Sequence, residues 1–138
     1  MSKPTDYRLE DQIGFKLRLA NQKHLDVFSK LLPDVTPTQF AVLAKLNETG
    51  SISQNHLGRL VGMDAATTKG VVDRLKKKGF VFSAQSKTDL RRLEITLTED
   101  GKDFTAKAIE NAHHISARTA ANLSTHELHR LLILLDKL

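Results

Sequence analysis

Three helix-start signals in the middle of the chain constrain its fold more than any other feature. Thr36-Pro37-Thr38-Gln39 supplies an N-cap, a proline at the first helical position and a glutamine that can close a capping box. Ser53 and Asp64 are placed to cap two further segments, residues 54–60 and 65–78. The pattern predicts one helix, followed by a helix, a short turn and a second helix.

The periodicity changes from helical to alternating directly after residue 78. Gly79 is suited to the left-handed stop of a helix, and Phe80-Val81-Phe82 opens an extended run. Residues 93–97 alternate between apolar and polar side chains, and a turn-forming stretch, residues 83–89, separates the two runs. A two-stranded hairpin with a charged tip is predicted.

Both ends of the chain carry long amphipathic stripes. Apolar residues at three- and four-residue steps predict a helix from about Asp6 to Leu32, before Pro33. Thr98 is placed to cap a helix that reaches about residue 122, and Ser124-Thr125-His126-Glu127 is a capping box for a last helix. The predicted fold is mainly α with a small β-hairpin. Because the end helices have little local core to cover, we expect them to pair with a second copy in a homodimer.

The positive charge is concentrated in the middle of the chain. The formal net charge is +5, but residues 51–92 contain nine bases and three acids, whereas the flanks have excesses of +1 and −2. A basic segment of this kind indicates contact with a polyanion such as DNA. A solvated charged surface is the alternative interpretation of the charge alone.

Several classes of function are disfavoured by the composition and by missing motifs. The chain has no cysteine, which excludes thiol nucleophiles, disulfides and thiolate metal sites. No signal peptide or long apolar run occurs, so we expect a cytoplasmic protein without a membrane partner. No phosphate-binding glycine loop, zinc-hydrolase pair or nucleophile elbow is present, so we expect no enzyme and no cofactor. His126 with His129, and His113 with His114, are interpreted as surface histidines, so no metal site is predicted.

From Val35 to Thr105 the chain resembles the MarR (multiple antibiotic resistance regulator) family of winged helix-turn-helix transcription regulators. The matching stretches occur in the family's order, at residues 36–43, 53–57, 71–81, 89–92 and 97–101. The resemblance implies one domain over residues 1–138. Within it, residues 35–102 would form a winged helix-turn-helix DNA-binding lobe, and residues 6–34 and 103–138 a helical dimerisation region.

The resemblance also implies a function. A homodimer would bind double-stranded DNA at a pseudo-palindromic operator and repress transcription, and a small aromatic or phenolic acid would release it. The absence of cysteine excludes the branch of the family that senses peroxide through thiol oxidation. Two alternatives remain open from the residues themselves: a helical protein-interaction module that binds an acidic partner, and an architectural DNA binder without an effector.

The predicted helix 65–78 has the composition of a helix that enters the major groove. Small and polar side chains in its first turns permit close approach to base edges, and Arg74 lies further along, where phosphate contact is expected. Ser53 and Gln54 open the preceding helix, whose N-terminus favours an anion, although Ser53 can equally be a cap and nothing more. The predicted base-contacting residues are Ala65, Ala66, Thr67, Thr68 and Lys69.

The hairpin tip matches the family's wing motif. The resemblance implies that Arg91 reaches into the minor groove and that Asp89 holds it in position by an ion pair. Leu90 stands where the family usually has a basic residue, and Arg92 adds a charge that the motif does not require. We therefore expect the phosphate contacts of this wing to be weaker or differently distributed.

Ligand-binding residues are predicted on the first helix. The resemblance places an aromatic acid between the dimerisation helices and the DNA-binding lobe, where Arg18, Gln22 and His24 are the polar groups best able to meet a carboxylate. Possible apolar walls are Phe15, Phe28 and Phe40. The residues leave two alternatives open: His24 as a core histidine and Arg18 as a solvated or interface arginine.

Overall fold

The computed structural model describes residues 6–138, so Met1 to Thr5, which belong to the segment expected not to be a signal peptide, lie outside it. Six α-helices and three strands are found in this range. In chain order they are α1 (Ile13–Leu31), α2 (Pro37–Thr49), β1 (Ile52–Ser53), α3 (Gln54–Val61), α4 (Ala65–Lys77), β2 (Val81–Gln85), β3 (Leu93–Leu97), α5 (Glu99–Thr119) and α6 (Thr125–Leu135). The predicted mainly helical fold with a small wing is confirmed.

The chain divides into two compact units. The middle unit comprises Leu32–Ala112, and the terminal unit comprises residues 6–31 together with His113–Leu138. Helix α5 contributes to both. The divisions fall at residues 31 and 112, whereas the sequence placed the lobe at residues 35–102. The assignment of the terminal unit to dimerisation stays a prediction.

The core of the middle unit is formed by three helices and a sheet. Its largest fully buried apolar side chains are Val42, Leu43, Leu46, Leu57, Val72 and Leu75. The predicted caps are confirmed: Thr36 and Gln39 form a reciprocal capping box, Ser53 accepts from the His56 N–H, and Asp64 accepts from the Thr67 N–H. These caps satisfy free N–H groups in the first turns of α2, α3 and α4 and thereby set where each helix begins.

Helices α3 and α4 approach each other very closely at Gly58. A Cβ atom at this position would lie 2.7 Å from the Thr68 Oγ1 and 3.2 Å from the Met63 carbonyl oxygen. The Thr68 hydroxyl is already engaged, because Oγ1 donates to the Asp64 carbonyl oxygen at 2.7 Å. Only glycine therefore fits on α3 at this crossing.

The sheet has three strands rather than the predicted two, in the order β1-β3-β2. Both pairs are antiparallel, with Ile52 opposite Ile95 and Val81 opposite Leu97. Strand β2 continues to Gln85, so the prediction that the turn begins at Ser83 is wrong by three residues. The alternation predicted for residues 93–97 is confirmed, since Ile95 and Leu97 are buried.

The junction between the sheet and α5 is tightly built. The Thr98 hydroxyl accepts from the Gly101 N–H at 2.9 Å, as predicted for a cap, and donates to the Gly79 carbonyl at 2.6 Å. Phe80 stacks on Phe104 with ring centroids 4.5 Å apart. Gly101 is buried against the Phe80 backbone, so this corner joins the end of α4, the start of β2 and the start of α5.

The terminal unit departs from the prediction at its start. Leu9–Asp11 form a short 3₁₀ helix and Gln12 is extended, so α1 begins at Ile13 and not near Asp6. Amphipathic spacing continues through this segment, but the extended Gln12 interrupts the helical hydrogen-bond ladder. At the other end, α5 stops at Thr119, and the predicted capping box of Ser124 and Glu127 opens α6. Among residues 6–138 no helix is long and apolar enough to cross a membrane.

Candidate nucleic-acid interface

The first turns of α4 present a small, polar surface to solvent. Ala65, Ala66, Thr67 and Lys69 are all exposed. Lys69 Nζ lies 2.8 Å from the Asp73 Oδ2, one helical turn later. This hydrogen bond from Lys69, together with the charges of nearby lysines, holds the pKa of Asp73 below its usual value. Helix α4 therefore offers two methyl groups, a hydroxyl and an ammonium along one exposed end, which is the chemistry needed to contact base edges.

Thr68 does not belong to this surface, and its prediction as a base-contacting residue is wrong. Its side chain is only 1% exposed, and it packs against Gly58 of α3. The hydroxyl donates to the Asp64 carbonyl, so Thr68 fixes the crossing of α3 and α4 and cannot reach a base. The helical spacing carries a signal for this burial, because Thr68 lies three and four residues before Val71 and Val72, on the same inward face of α4.

The N-cap of α4 is the carboxylate of Asp64, so its capping bond depends on pH. The Thr67 backbone N–H donates to Asp64 Oδ1 at 2.7 Å, and this bond is the largest of the effects that lower the pKa of Asp64 below its ordinary 3.8. Because the folded-state pKa is depressed, the stabilisation is fully present above pH 3.8 and is lost as the pH falls through the lower folded value. We expect Asp64→Ala to lower the free energy of unfolding at neutral pH, by an amount that shrinks steadily below about pH 4.

Urea unfolding of the wild type and the variant across this pH range measures the effect. Ser53→Ala is the matched control, because it removes a cap that does not titrate, so its cost should not vary with pH over the same range. An Asp64→Ala difference that is equally large at neutral and acid pH would contradict the assignment of the depressed pKa to the cap.

Arg74 extends from the middle of α4 and is exposed. Its guanidinium lies beside Gly70, where a Cβ atom would be 3.3 Å from the nearer terminal nitrogen. The predicted role of Arg74 in phosphate contact stays a prediction, but its exposure is compatible with it. The lysines at residues 76–78 are exposed as well, and Lys78 Nζ donates to the Asp34 carbonyl within the middle unit.

The tip of the β2–β3 hairpin, the wing, is held by a compact hydrogen-bond network. Asp89 Oδ1 accepts from the Arg91 backbone N–H at 3.1 Å and from Arg91 Nε at 3.2 Å. Ser86 is buried, and its Oγ accepts from the N–H groups of Thr88 and Asp89. The predicted pairing of Asp89 with Arg91 is therefore present. The Arg91 side chain is 91% exposed, so Asp89 orients a guanidinium that remains free to meet a ligand.

Ser53, Gln54 and Arg92 line one cleft beside the base of the wing. The cleft has a volume of about 400 Å³, and its other lining residues are Asn55, Arg59 and Leu93. Sequence reasoning identified three of these residues but missed Asn55 and Arg59. The sequence indicates this helix by its Ser53 cap and by the apolar face of Leu57 and Leu60, and nothing in the spacing of Arg59 distinguishes it from a solvated arginine.

The predicted ligand-binding residues of α1 do not form one cluster on this helix. Arg18 and Gln22 are four residues apart on one exposed face, where the Arg18 guanidinium carbon lies 5.4 Å from the centre of the Phe15 ring. His24 lies on a different face, because six residues correspond to well over one and a half turns. It is half-buried, and its Nδ1 is 2.8 Å from the Thr119 Oγ1 of α5.

The histidines of α5 and α6 were interpreted as surface residues. His113, His114, His126 and His129 are all exposed. Across residues 6–138 there is no group of three histidine, aspartate or glutamate side chains that could hold a metal ion.

Comparison with known proteins identifies similar regulators. The MarR family profile matches residues 35–93. The HTH-type transcriptional repressor NicR of Pseudomonas putida (strain KT2440) is 33% identical over 136 residues, which cover 97% of this chain and 86% of NicR. The similarity thus extends over both units and is not confined to the helix-turn-helix.

Two solved structures share the fold over most of the chain. A crystal structure of a protein described as a "probable transcriptional regulator" from Pseudomonas aeruginosa is 44% identical, with a TM-score of 0.87 over 94% of this chain and 98% of the other. Bordetella bronchiseptica BpsR, whose DNA binding is described as regulated by 6-hydroxynicotinic acid, is 31% identical, with a TM-score of 0.88 over 95% of each chain.

Proposed function

The chain belongs to the MarR family of transcription regulators, and from this membership we propose that it is a repressor that binds a pseudo-palindromic operator as a homodimer and is released by a small aromatic acid. The family is one of transcriptional regulators and not of enzymes. Such a repressor acts on chromosomal DNA and therefore in the cytoplasm.

One observation carries the proposal. Within the middle unit, an exposed helix end with the chemistry of a base-reading surface and an exposed, oriented arginine on a hairpin occur together. Helix α4 is the recognition helix of this arrangement, with Ala65, Ala66, Thr67 and Lys69 toward the major groove and Arg74 toward phosphate. The wing inserts Arg91 into the adjacent minor groove, where a narrow groove concentrates negative potential.

The homodimer is supported by the terminal unit. Helices α1 and α6 and the residues after α6 leave apolar side chains exposed, among them Ile13, Leu134 and Leu138 at 61%, 47% and 76%. These residues line an apolar groove of about 490 Å³. Exposed apolar surface of this extent is unusual on a monomer and is covered here by a second copy, which brings a second recognition helix to the same duplex.

A carboxylate-bearing aromatic ring is the proposed effector class. NicR is a repressor and BpsR responds to 6-hydroxynicotinic acid. We assign the carboxylate to Arg18 and Gln22, which share a face of α1 beside Phe15, or to His24 on the other face. Binding of the ligand shifts the dimer to a state in which the two recognition helices no longer fit successive major grooves.

Selection of bound fragments from a genomic library by the purified protein tests the regulator. We expect the selected fragments to share one sequence with approximate two-fold symmetry. Enrichment of many unrelated fragments would count against a specific regulator and favour an architectural DNA binder, and the absence of DNA binding would favour a protein-interaction module.

The effector is tested on the selected operator. Saturating 6-hydroxynicotinic acid should weaken operator binding between about 5-fold and 150-fold, the usual range of allosteric coupling. The matched control is 2-hydroxypyridine, which keeps the ring and the hydroxyl but lacks the carboxylate and should have no effect. Equal effects of the two compounds on operator binding would contradict a site that recognises the carboxylate of the ligand.

A further inference from the structure

The cleft between α3 and the wing points to a function that neither the recognition helix nor the wing tip accounts for. We propose that Arg59 and Arg92 together bind one phosphodiester group of the operator backbone, between the major groove read by α4 and the minor groove read by Arg91. The inference rests on the proposed function. It adds Arg59 to the DNA-contacting residues and gives Arg92 a defined partner on α3.

The cleft is lined by two cationic side chains from different elements. Arg59 on α3 and Arg92, directly before β3, line the same space of about 400 Å³, with Ser53, Gln54, Asn55 and Leu93 as the other lining residues. Two cations thus face one cleft that contains amide and hydroxyl groups but no carboxylate. Like charges brought together repel each other, and an anion bound between them removes the repulsion.

Neither arginine side chain has a partner within the described residues. Among residues 6–138, the side chains of Arg59 and Arg92 form no hydrogen bond or ion pair, whereas Arg91 is paired with Asp89 and Lys69 with Asp73. Both are exposed. Guanidinium groups suit a phosphodiester because their planar donors match two of its oxygens at once.

Arg59 is close to the recognition helix as well as to the wing. Arg59 also lines a second cleft, which shares Gln54 and Asn55 with the first and includes Ala65 at the start of α4. It therefore lies between the recognition helix and the base of the wing. A duplex that places its major groove at α4 and its minor groove at the wing passes one strand of its backbone between the two, which is where Arg59 and Arg92 stand.

The wing sequence agrees with this assignment. Leu90 and Leu93 are 70% and 62% exposed and carry no charge, so they offer no phosphate contact at the tip or along β3. The adjacent Arg91 is held by Asp89 at the tip, and Arg92 lines the cleft beside α3. The redistribution of wing charge expected from the sequence is therefore a shift of the phosphate contact from the tip to the α3 cleft.

The test compares operator binding by Arg59→Gln, Arg92→Gln and the double variant over a range of salt concentrations. Each single change should weaken binding about tenfold, to the operator and to a scrambled duplex alike, while the remaining arginine still neutralises the phosphate. The double variant loses this one phosphate contact and should lower the salt slope by about one. Lys23→Gln removes the same charge from an exposed position on α1 and should leave the slope unchanged. Thermal unfolding confirms that each variant is folded.

A series of operators, each with one phosphate replaced by an uncharged methylphosphonate, locates the contact. At one position in each half-site, the replacement should weaken operator binding by the wild-type protein but not by the double variant. If the cleft takes a free anion instead of the DNA backbone, all positions affect both proteins equally, which overturns the inference. An unchanged salt slope in the double variant also overturns it and leaves the regulator intact, whereas a wild-type protein without sequence-specific binding overturns the proposed function and the inference together.

Discussion

Gly101→Ala is expected to cost about 3 kcal/mol or more of the free energy of unfolding. A Cβ atom at this position would lie 2.0 Å from the Phe80 carbonyl oxygen and 2.9 Å from its carbonyl carbon. These atoms belong to the backbone, and the same oxygen accepts from the Thr98 N–H at 3.0 Å, so the neighbour cannot move without breaking the corner between β2 and α5. A loss of this size is a large part of the stability of a typical domain.

Denaturant unfolding of the purified variant measures this loss. Gly14→Ala is the matched control, since a Cβ there meets no atom within 4 Å and alanine is the better helix former, so it should stabilise by up to about 1 kcal/mol. A Gly101→Ala protein within about 0.5 kcal/mol of the wild type would show that the corner is not packed as described.

Arg91→Ala is expected to weaken operator binding by about 10-fold to 100-fold, equivalent to about 1–3 kcal/mol. The guanidinium is 91% exposed and is held by Asp89 through a bond of 3.2 Å to Nε, so it enters the minor groove with its orientation already set. Because a narrow groove attracts the arginine most strongly, the variant should also lose its preference for A·T-rich flanks.

Fluorescence anisotropy at physiological salt, with operators that carry A·T-rich or G·C-rich flanks, measures both effects. Lys87→Gln removes a charge from the same exposed turn and should weaken both operators equally and only slightly. If Arg91→Ala binds with unchanged affinity, or loses the same affinity for both operators, the wing arginine does not act in the minor groove.

The helix starts were predictable because each depends on a few neighbouring residues. Each cap requires only a suitable side chain within three residues of the N–H group that it accepts from, so it can be identified from the sequence. This applies to the capping boxes that open α2 and α6 and to the caps Ser53 and Asp64. The same holds for the ion pair of Asp89 and Arg91, whose partners are two residues apart.

What depends on distant parts of the chain was not predictable from one sequence. Strand β1 has two residues and exists only through its pairing with β3, more than forty residues later. The helical spacing of Thr68 with Val71 and Val72 indicates that it is buried, but its close contact with Gly58 of α3 is seen only in the structure. Arg59 gains its significance from Arg92, which reaches the same cleft from the wing.

The most direct test of the account is a hydroxyl-radical footprint of the protein on the tightest fragment selected from the genomic library. A homodimer that reads DNA with two recognition helices and two wings should protect two equivalent patches, related by two-fold symmetry and centred about one helical turn or a multiple of it apart. A single unsymmetric patch, or no protection at concentrations that bind the fragment, would contradict the dimeric, sequence-specific regulator.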